Sequence, residues 1–375
     1  MSILFEPIET HGMKLKNRFV RSATHDSSFS EQGKVTDETI ELFSGLARGG
    51  IGLIITGFAY VHSIGQALSR QAAIDSDDCI LGLKRLADKV HEYDTKIAMQ
   101  VVHSGRESRA ARARGEMLLA PSFVEDAYSL RKSYREMTAA EIVDTIDAFG
   151  QAARRAREAG FDAVQIHAAH SKLFSQFLSP RSNQRTDQWG GNLENRMRFH
   201  VQVVSAIRKA VGQDYPVLIK LGVQDTIEGG LTLEEGCRVA QKLATCGIGA
   251  IEVSEGLEAT RANHIRKDVK FGEGEAYYAE WAREVKNVVA VPVILAGGMR
   301  TFDIMERIVR QGSADCISMC RPFIREPDII HRWQTNNRKP AKCISCNLCI
   351  QRQPDEVVKC IQELKLAKPN SPAEG

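Results

Sequence analysis

The chain has 375 residues, 43% of them apolar and 26% charged, so it can build a packed core and is neither disordered nor fibrous. With 50 Lys and Arg against 47 Asp and Glu, its formal charge of +3 offers no electrostatic footprint for nucleic acid or an anionic membrane. The longest apolar runs, such as residues 51–59, fall well short of a bilayer span.

The N-terminal stretch Met1 to Pro7 lacks a basic segment followed by a long apolar one, so no secretory leader is expected. Short, mostly apolar β-branched runs then recur at residues 18–22, 52–56, 96–102, 163–167, 217–221, 250–254, 293–296 and 316–319. Apolar rather than alternating, they read as strands buried on both faces. Amphipathic segments at 81–92, 139–159, 193–211, 233–246 and 302–311 predict helices between them. Thr138 followed by Glu141 predicts a capping box. Gly49-Gly50, Gly160, Gly247 and Gly312 are placed to supply the left-handed residue that ends a helix. Eight strands separated by crossovers predict an α/β fold, a closed (β/α)8 (TIM) barrel over residues 1–338, rather than a doubly wound sheet. Gly49-Gly-Ile-Gly52 joins a helix to a strand, the reverse of a dinucleotide fingerprint, so no separate Rossmann domain is expected. From about Pro340 the pattern stops, and a short Cys-rich C-terminal tail, 339–375, begins.

Chemistry in such barrels sits at the carboxyl ends of the strands, with phosphate favouring the loops after strands 7 and 8. Gly297 and Gly298 after strand 7, with Cys320 and Arg321 after strand 8, read as a phosphate cradle; a tight turn and a surface Arg are the plainer alternative. His167 and His170 at the end of strand 4 suit hydrogen-bond donation to a substrate oxyanion. With His103 they could hold zinc instead, but no carboxylate pattern completes that site. Lys220, in an otherwise apolar strand, is expected to point at an anion in the pocket or else to snorkel to solvent. Of nine cysteines, Cys79, Cys237, Cys246, Cys316 and Cys320 are scattered, which suggests a reducing cytoplasm. Cys343, Cys346, Cys349 and Cys360 cluster near the end of the chain. Structural zinc usually takes two separated C-x-x-C pairs, whereas three thiols at two-residue intervals plus a distant fourth resemble [4Fe–4S] ligation; reduced thiols without metal are the alternative.

Together these residues resemble the old yellow enzyme family of FMN-containing barrels over essentially the whole chain. The stretches that carry the likeness are Leu15-Lys-Asn-Arg18, Gln100-Val-Val-His-Ser-Gly-Arg106 and Gly160-Phe-Asp-Ala-Val-Gln-Ile-His-Ala-Ala-His170. Gln176-Phe-Leu-Ser-Pro180, Asn183-Gln-Arg-Thr-Asp187, Gly190-Gly-Asn-Leu-Glu-Asn-Arg196 and the two phosphate-loop segments extend it. The Cys tail is similar to that of the branch with trimethylamine dehydrogenase and 2,4-dienoyl-CoA reductase, which carries FMN and a [4Fe–4S] cluster.

The resemblance implies that Gln100 bonds the flavin pyrimidine edge and that Lys220 sits near N1 and the C2 carbonyl. Ser22, Ala23, Thr24 and Ala59 would line the ring near N5 and C4. Gly297, Gly298, Cys320 and Arg321 would hold the phosphate. His167 and His170 would polarise a substrate carbonyl for hydride attack from N5.

Lys172 stands where the family usually has a proton-donating Tyr. The ten residues between Cys349 and Cys360 are fewer than in the long relatives. Those relatives continue into flavodoxin-like and nucleotide-binding domains, so either NAD(P)H reduces FMN directly or an electron-donor protein feeds the cluster. The expectation is a cytoplasmic, homo-oligomeric, ene-reductase-like enzyme that reduces an activated C=C bond of a small molecule: an enone, enoate or enoyl thioester. Amine dehydrogenase-like oxidation, an electron-transfer subunit, and a flavin-free lyase or isomerase acting on a phosphorylated substrate are the rivals.

Overall fold

In a computed structural model, which describes residues 2–125, 133–258, 265–350 and 356–367, eight parallel strands close on themselves. They are β1 (Phe19–Arg21), β2 (Leu53–Ile55), β3 (Lys96–Val102), β4 (Ala163–Ala168), β5 (Val217–Gln224), β6 (Ala250–Glu255), β7 (Val293–Leu295) and β8 (Cys316–Met319). Each pairs with the next, and β8 returns to β1 with Ile317 opposite Phe19. The expected barrel is present. Outside it lie α1 (Asp37–Arg48), α2 (Ile80–His91), α3 (Ala139–Glu158), α4 (Arg198–Val211), α5 (Leu233–Thr245), α6 (Ala279–Val288), α7 (Phe302–Arg310) and α8 (Ile329–Gln334).

The capping box forms as expected at α3: Thr138 accepts from the Glu141 amide, and Glu141 accepts from the Thr138 amide. Gly160, Gly247 and Gly312 take positive φ, but at the first pair only Gly50 does; Gly49 stays helical at φ −68°. The segment 193–211 is not one helix. It breaks at Met197, after a short helix Leu193–Arg196, where the Arg196 guanidinium turns inward and donates to Leu178 O at 2.7 Å and Glu235 Oε1 at 2.5 Å. Local start signals for α1 and α6 are weak in the sequence. The α1 capping box uses Thr39 where Glu or Gln is usual, and α6 starts at Tyr278 without a side-chain cap.

Inside the barrel, each strand contributes one residue to a closed apolar layer: Val20, Leu53, Ala98, Ala163, Leu218, Ala250, Ile294 and Cys316. An N-terminal hairpin, Ile8–Thr10 with Met13–Leu15, plugs this layer from below through Met13 and Leu15. Side chains alternate along a strand, so stepping two residues toward the carboxyl end reaches the next inward layer. That layer comprises Ser22, Ile55, Gln100, Gln165, Lys220, Glu252, Ala296 and Ser318. Six of these eight are polar, so the layer forms the floor of an open mouth.

The tail packs against this mouth: the Ala341 amide donates to Arg300 O at 2.9 Å and the Val358 amide to Asp26 O at 2.8 Å. Arg325 Nε pairs with Glu363 at 2.7 Å. Among the described residues, no helix is long and apolar enough to cross a membrane.

The fit between α5 and β5 leaves no room for a side chain at Gly236, where a Cβ would come 1.8 Å from Val223 O. In urea denaturation, Gly236→Ala is expected to lose about 1–3 kcal/mol or more. Gly45→Ala, in α1 with nothing within 4 Å of the added Cβ, is expected to gain about 0.5–1 kcal/mol.

Candidate active site

The floor is organised around one carboxylate. Glu252 accepts from Ser22 Oγ at 2.7 Å, Ser318 Oγ at 2.8 Å and Lys220 Nζ at 2.9 Å on Oε1, and from Gln165 Nε2 at 3.0 Å on Oε2. Lys220 also donates to Ser22 Oγ at 2.9 Å. Both charged groups are buried. Burial opposes the Glu252 charge, but Lys220 and the bonds from Ser22, Lys220 and Gln165 more than offset it and hold the carboxyl below its usual range. The anion expected for Lys220 is therefore supplied by the neighbouring strand of the protein itself. Beside the pair, Gln100 Nε2 donates to Gln165 Oε1 at 2.6 Å. Among the described residues, this leaves Gln100 Oε1 buried without a hydrogen-bond partner. An orphaned acceptor under a cavity asks for an N–H from something bound there.

Above the floor lies a cavity of about 670 Å³. On one side its rim is Gly297 and Gly298, at φ +121° and +75°, a path that residues with a Cβ rarely follow. A Cβ at either would also press on the Tyr277 ring, at 3.1 and 3.0 Å. Cys320 and Arg321 complete this rim. Cys320 Sγ lies 2.9 Å from Thr24 Oγ1, and Arg321 Nη1 donates to Arg266 O at 2.8 Å and Asn347 Oδ1 at 2.5 Å.

The opposite wall carries His167, His170, Lys172, His25, Phe58, Glu107, Arg109 and Glu258. The His167 and His170 rings meet edge to face at 5.3 Å, and Phe58 lies 5.7 Å from His167 and 5.9 Å from His25. The left-handed backbone at His170 and Ser171, φ +54° and +57°, turns the chain inward at the end of β4. Bonds from their amides to Glu255 O and Gly256 O, both 2.9 Å, hold this strained turn. His170 Nε2 contacts Ser254 Oγ at 2.7 Å. Lys172 Nζ sits 5.5 Å from the Phe58 centroid. Burial lowers its pKa from the ordinary lysine range, and Glu107 and Glu258 oppose that only in part.

The four tail cysteines line one small pocket, which they share with Arg321, Ile324, Asn347 and Leu348. Left-handed residues between them, Ser345 at φ +56° and Asn347 at φ +59°, let successive thiols turn to one side. Cys349 lines the main cavity as well. Burial, with neighbouring Cys320 and Cys343, pushes its thiol up to about 12, the penalty that a bound cationic centre would reverse. Among the described residues, no three His, Cys, Asp or Glu side chains converge as they must around a single ion.

The family model for "NADH:flavin oxidoreductase / NADH oxidase family" matches residues 3–339. The chain belongs to this family. The NADH:flavin oxidoreductase family barrel is similar to a metal reductase of Desulforamulus reducens, 36% identical over 348 residues, or 92% of this chain and 51% of that protein. It also resembles an NADPH dehydrogenase of a Geobacillus species, 34% identical over 328 residues, or 87% of this chain and 92% of that one. Among solved structures, a 2-naphthoyl-CoA reductase with 2-naphthoyl-CoA matches with a TM-score of 0.87 and 29% identity, over 96% of this chain and 56% of that chain. The chain thus spans about half the length of the metal reductase and of the naphthoyl-CoA reductase.

Within this family barrel, Ser22, Ala23, Thr24, Gln100, His167, His170, Lys172, Lys220, Gly297, Gly298, Cys320 and Arg321 all reach the one cavity. Ala59 does not. It pairs with Val101, is fully buried, and leaves the wall to Phe58. His103 is buried behind Gly65, accepts the Gly105 amide on Nδ1 at 3.1 Å and is off the cavity wall, so the alternative zinc trio does not assemble. Burial and nearby His62 drop its pKa to about 3, so this ring stays neutral. Sequence reasoning missed Glu252, Gln165, Tyr277 and Tyr278. The first two could have been found by stepping two residues along each strand from the apolar layer, which shows them to be buried and polar.

Removing the Glu252 charge strands Lys220. Glu252→Gln is expected to lower unfolding free energy by about 3–5 kcal/mol near neutral pH. Because the folded pKa is depressed, the wild-type contribution is full above the unfolded carboxylate range, near pH 4.3, and is lost as pH falls through the lower folded value. Denaturation curves of wild type and variant should therefore converge in acid.

Proposed function

We propose that this barrel binds FMN and is an ene-reductase-like oxidoreductase that reduces a C=C bond conjugated to a carbonyl: an enone, an enoate or an enoyl thioester. The observation that carries this reading is one continuous cavity. It runs from the Gly297, Gly298 and Arg321 rim, over the Gln100 and Lys220 floor, to His167 and His170. The similarity to a reductase of a conjugated acyl thioester supports it. When bound, FMN supplies hydride at its N5 position.

The residues divide the remaining work. The backbone of Gly297, Gly298 and Cys320, with the Arg321 guanidinium, holds the phosphate. Gln100 Oε1 receives its missing donor from the flavin pyrimidine edge. Lys220 faces the same edge with its charge largely balanced by Glu252, so the floor presents a dipole rather than a bare cation. Ser22, Ala23 and Thr24 line the ring. His167 and His170 hydrogen-bond the substrate carbonyl oxygen and stabilise the negative charge that grows there as the β-carbon accepts hydride. Lys172 takes the place of a phenolic proton donor and delivers a proton to the α-carbon. Cys343, Cys346, Cys349 and Cys360 are the proposed [4Fe–4S] ligands. The reductant is either NAD(P)H or a protein that supplies electrons through those thiolates.

One observation also favours oxidation of an amine donor: the same lowered lysine pKa suits a base that accepts a proton. Anaerobically purified protein is expected to be yellow with one FMN per chain, and steady-state assays with an enoate and with an amine separate the two directions. A colourless protein that ignores added FMN sinks the proposal. His167→Ala or His170→Ala is expected to cut kcat/KM for the enoate by about 10²–10³-fold.

A lysine donor must be protonated, so the rate should fall as pH rises through its lowered pKa. Lys172→Met is expected to remove that limb of the pH–rate profile and to lower kcat by about 10²-fold or more, with flavin content unchanged.

A further inference from the structure

We infer that Asn347, the residue after the second clustered cysteine, is a positioning residue for Arg321, so that the flavin phosphate is gripped tightly only when the cysteine loop is docked. The inference rests on the FMN reading above and goes beyond it by tying the phosphate grip to the thiol-bearing tail.

Arg321 is half-buried where the two pockets meet and lines both. A free arginine samples many rotamers, and fixing one in a useful geometry costs about 2 kcal/mol of side-chain entropy. Here the fixing is done before any ligand arrives. Nη1 donates to Asn347 Oδ1 at 2.5 Å and to Arg266 O at 2.8 Å. Among the described residues its hydrogen bonds run through Nη1 alone, which leaves Nε and Nη2 for an anion at the rim.

Asn347 is itself held from both ends. Its Nδ2 donates to Ile265 O at 2.8 Å, and the nearby Asp268 amide donates to Ser345 O at 3.0 Å, so the segment 265–268 and the cysteine loop are laced together. Its left-handed φ of +59° suits Asn better than most side chains. The lacing reaches the other half of the cradle too. The Arg266 guanidinium lies 4.3 Å over the Tyr277 ring, and that ring is the surface on which Gly297 and Gly298 are packed.

The residue type matters as much as the contact. An amide orients the guanidinium without neutralising it, whereas a carboxylate at the same place would pair with Arg321 and compete with the phosphate. Asn347 is thus placed to aim a full positive charge at the rim.

The test compares two ligands that differ only in the phosphate. The full chain, stripped of flavin, is titrated with FMN and with riboflavin by fluorescence quenching. Asn347→Gly keeps the left-handed backbone and deletes the amide. It is expected to weaken FMN about tenfold, the weight of one hydrogen bond to a charged group, while riboflavin affinity stays within about twofold. Asn347→Asp keeps an acceptor for Arg321 but adds charge, and is expected to lose more FMN affinity than Asn347→Gly, again sparing riboflavin. A merely structural role would weaken both ligands alike, so equal weakening of FMN and riboflavin overturns the inference, as does an unchanged FMN affinity. A wild-type chain that binds neither flavin, or binds both equally, overturns the flavin-phosphate reading itself, and the inference falls with it.

Discussion

The buried pair of Lys220 and Glu252 is the constraint on which the rest of the mouth depends. An apolar plug of Met13, Leu15 and one inward residue from each strand closes the bottom of the barrel. The next layer must then pass from hydrocarbon to a surface that can bond a polar ligand, and it does so within two residues along each strand. A lone ammonium at that depth would carry a prohibitive desolvation penalty, as would a lone carboxylate. Together, with Ser22, Ser318 and Gln165 satisfying the remaining lone pairs, they are stable in place and nearly cancel as charges. The polar floor is thereby fixed in position without a strong net field.

Charge is concentrated instead at the rim and walls. Arg321, with Arg300, stands at the glycine side, and Lys172 and Arg109 stand among Glu107 and Glu258 at the opposite side. Arg300 is anchored by Val269 O, by Cys343 O at 3.1 Å and by the Phe271 ring 3.9 Å away. A ligand with an anion at one end and a flat, uncharged, hydrogen-bonding body matches this layout. The tail takes part in the layout: Ser345, Cys349, Ile350 and Val358 line the same cavity as the strand ends. Any centre held by those thiols would share a wall with whatever lies on the floor.

Several residues with left-handed backbone at the mouth aim something. Gly297 and Gly298 bare their amides, His170 and Ser171 turn the second histidine inward, and Ser345 and Asn347 bring successive cysteines to one side. Each left-handed non-glycine residue is disfavoured in isolation and persists because neighbouring elements bond it, as β6 does for the turn after β4.

Much of this was legible in the sequence. Local periodicity reports which face of an element is buried, so eight strands, most of the helices and the polar residues at strand ends could be read directly, and the spacing of the last four cysteines marked the tail. What only the tertiary structure decided was which of those residues meet. Lys220 finds its anion 32 residues away because β5 and β6 pair with those two residues in register. Ala59 and His103 sit at strand ends yet face the packed side, a matter of side-chain direction once the strands tilt and close. The cysteine segment, which reads as a separate appendage, becomes a wall of the cavity and a brace for Arg321. Periodicity is a property of one element alone, whereas barrel closure and register arise only between elements distant in the chain.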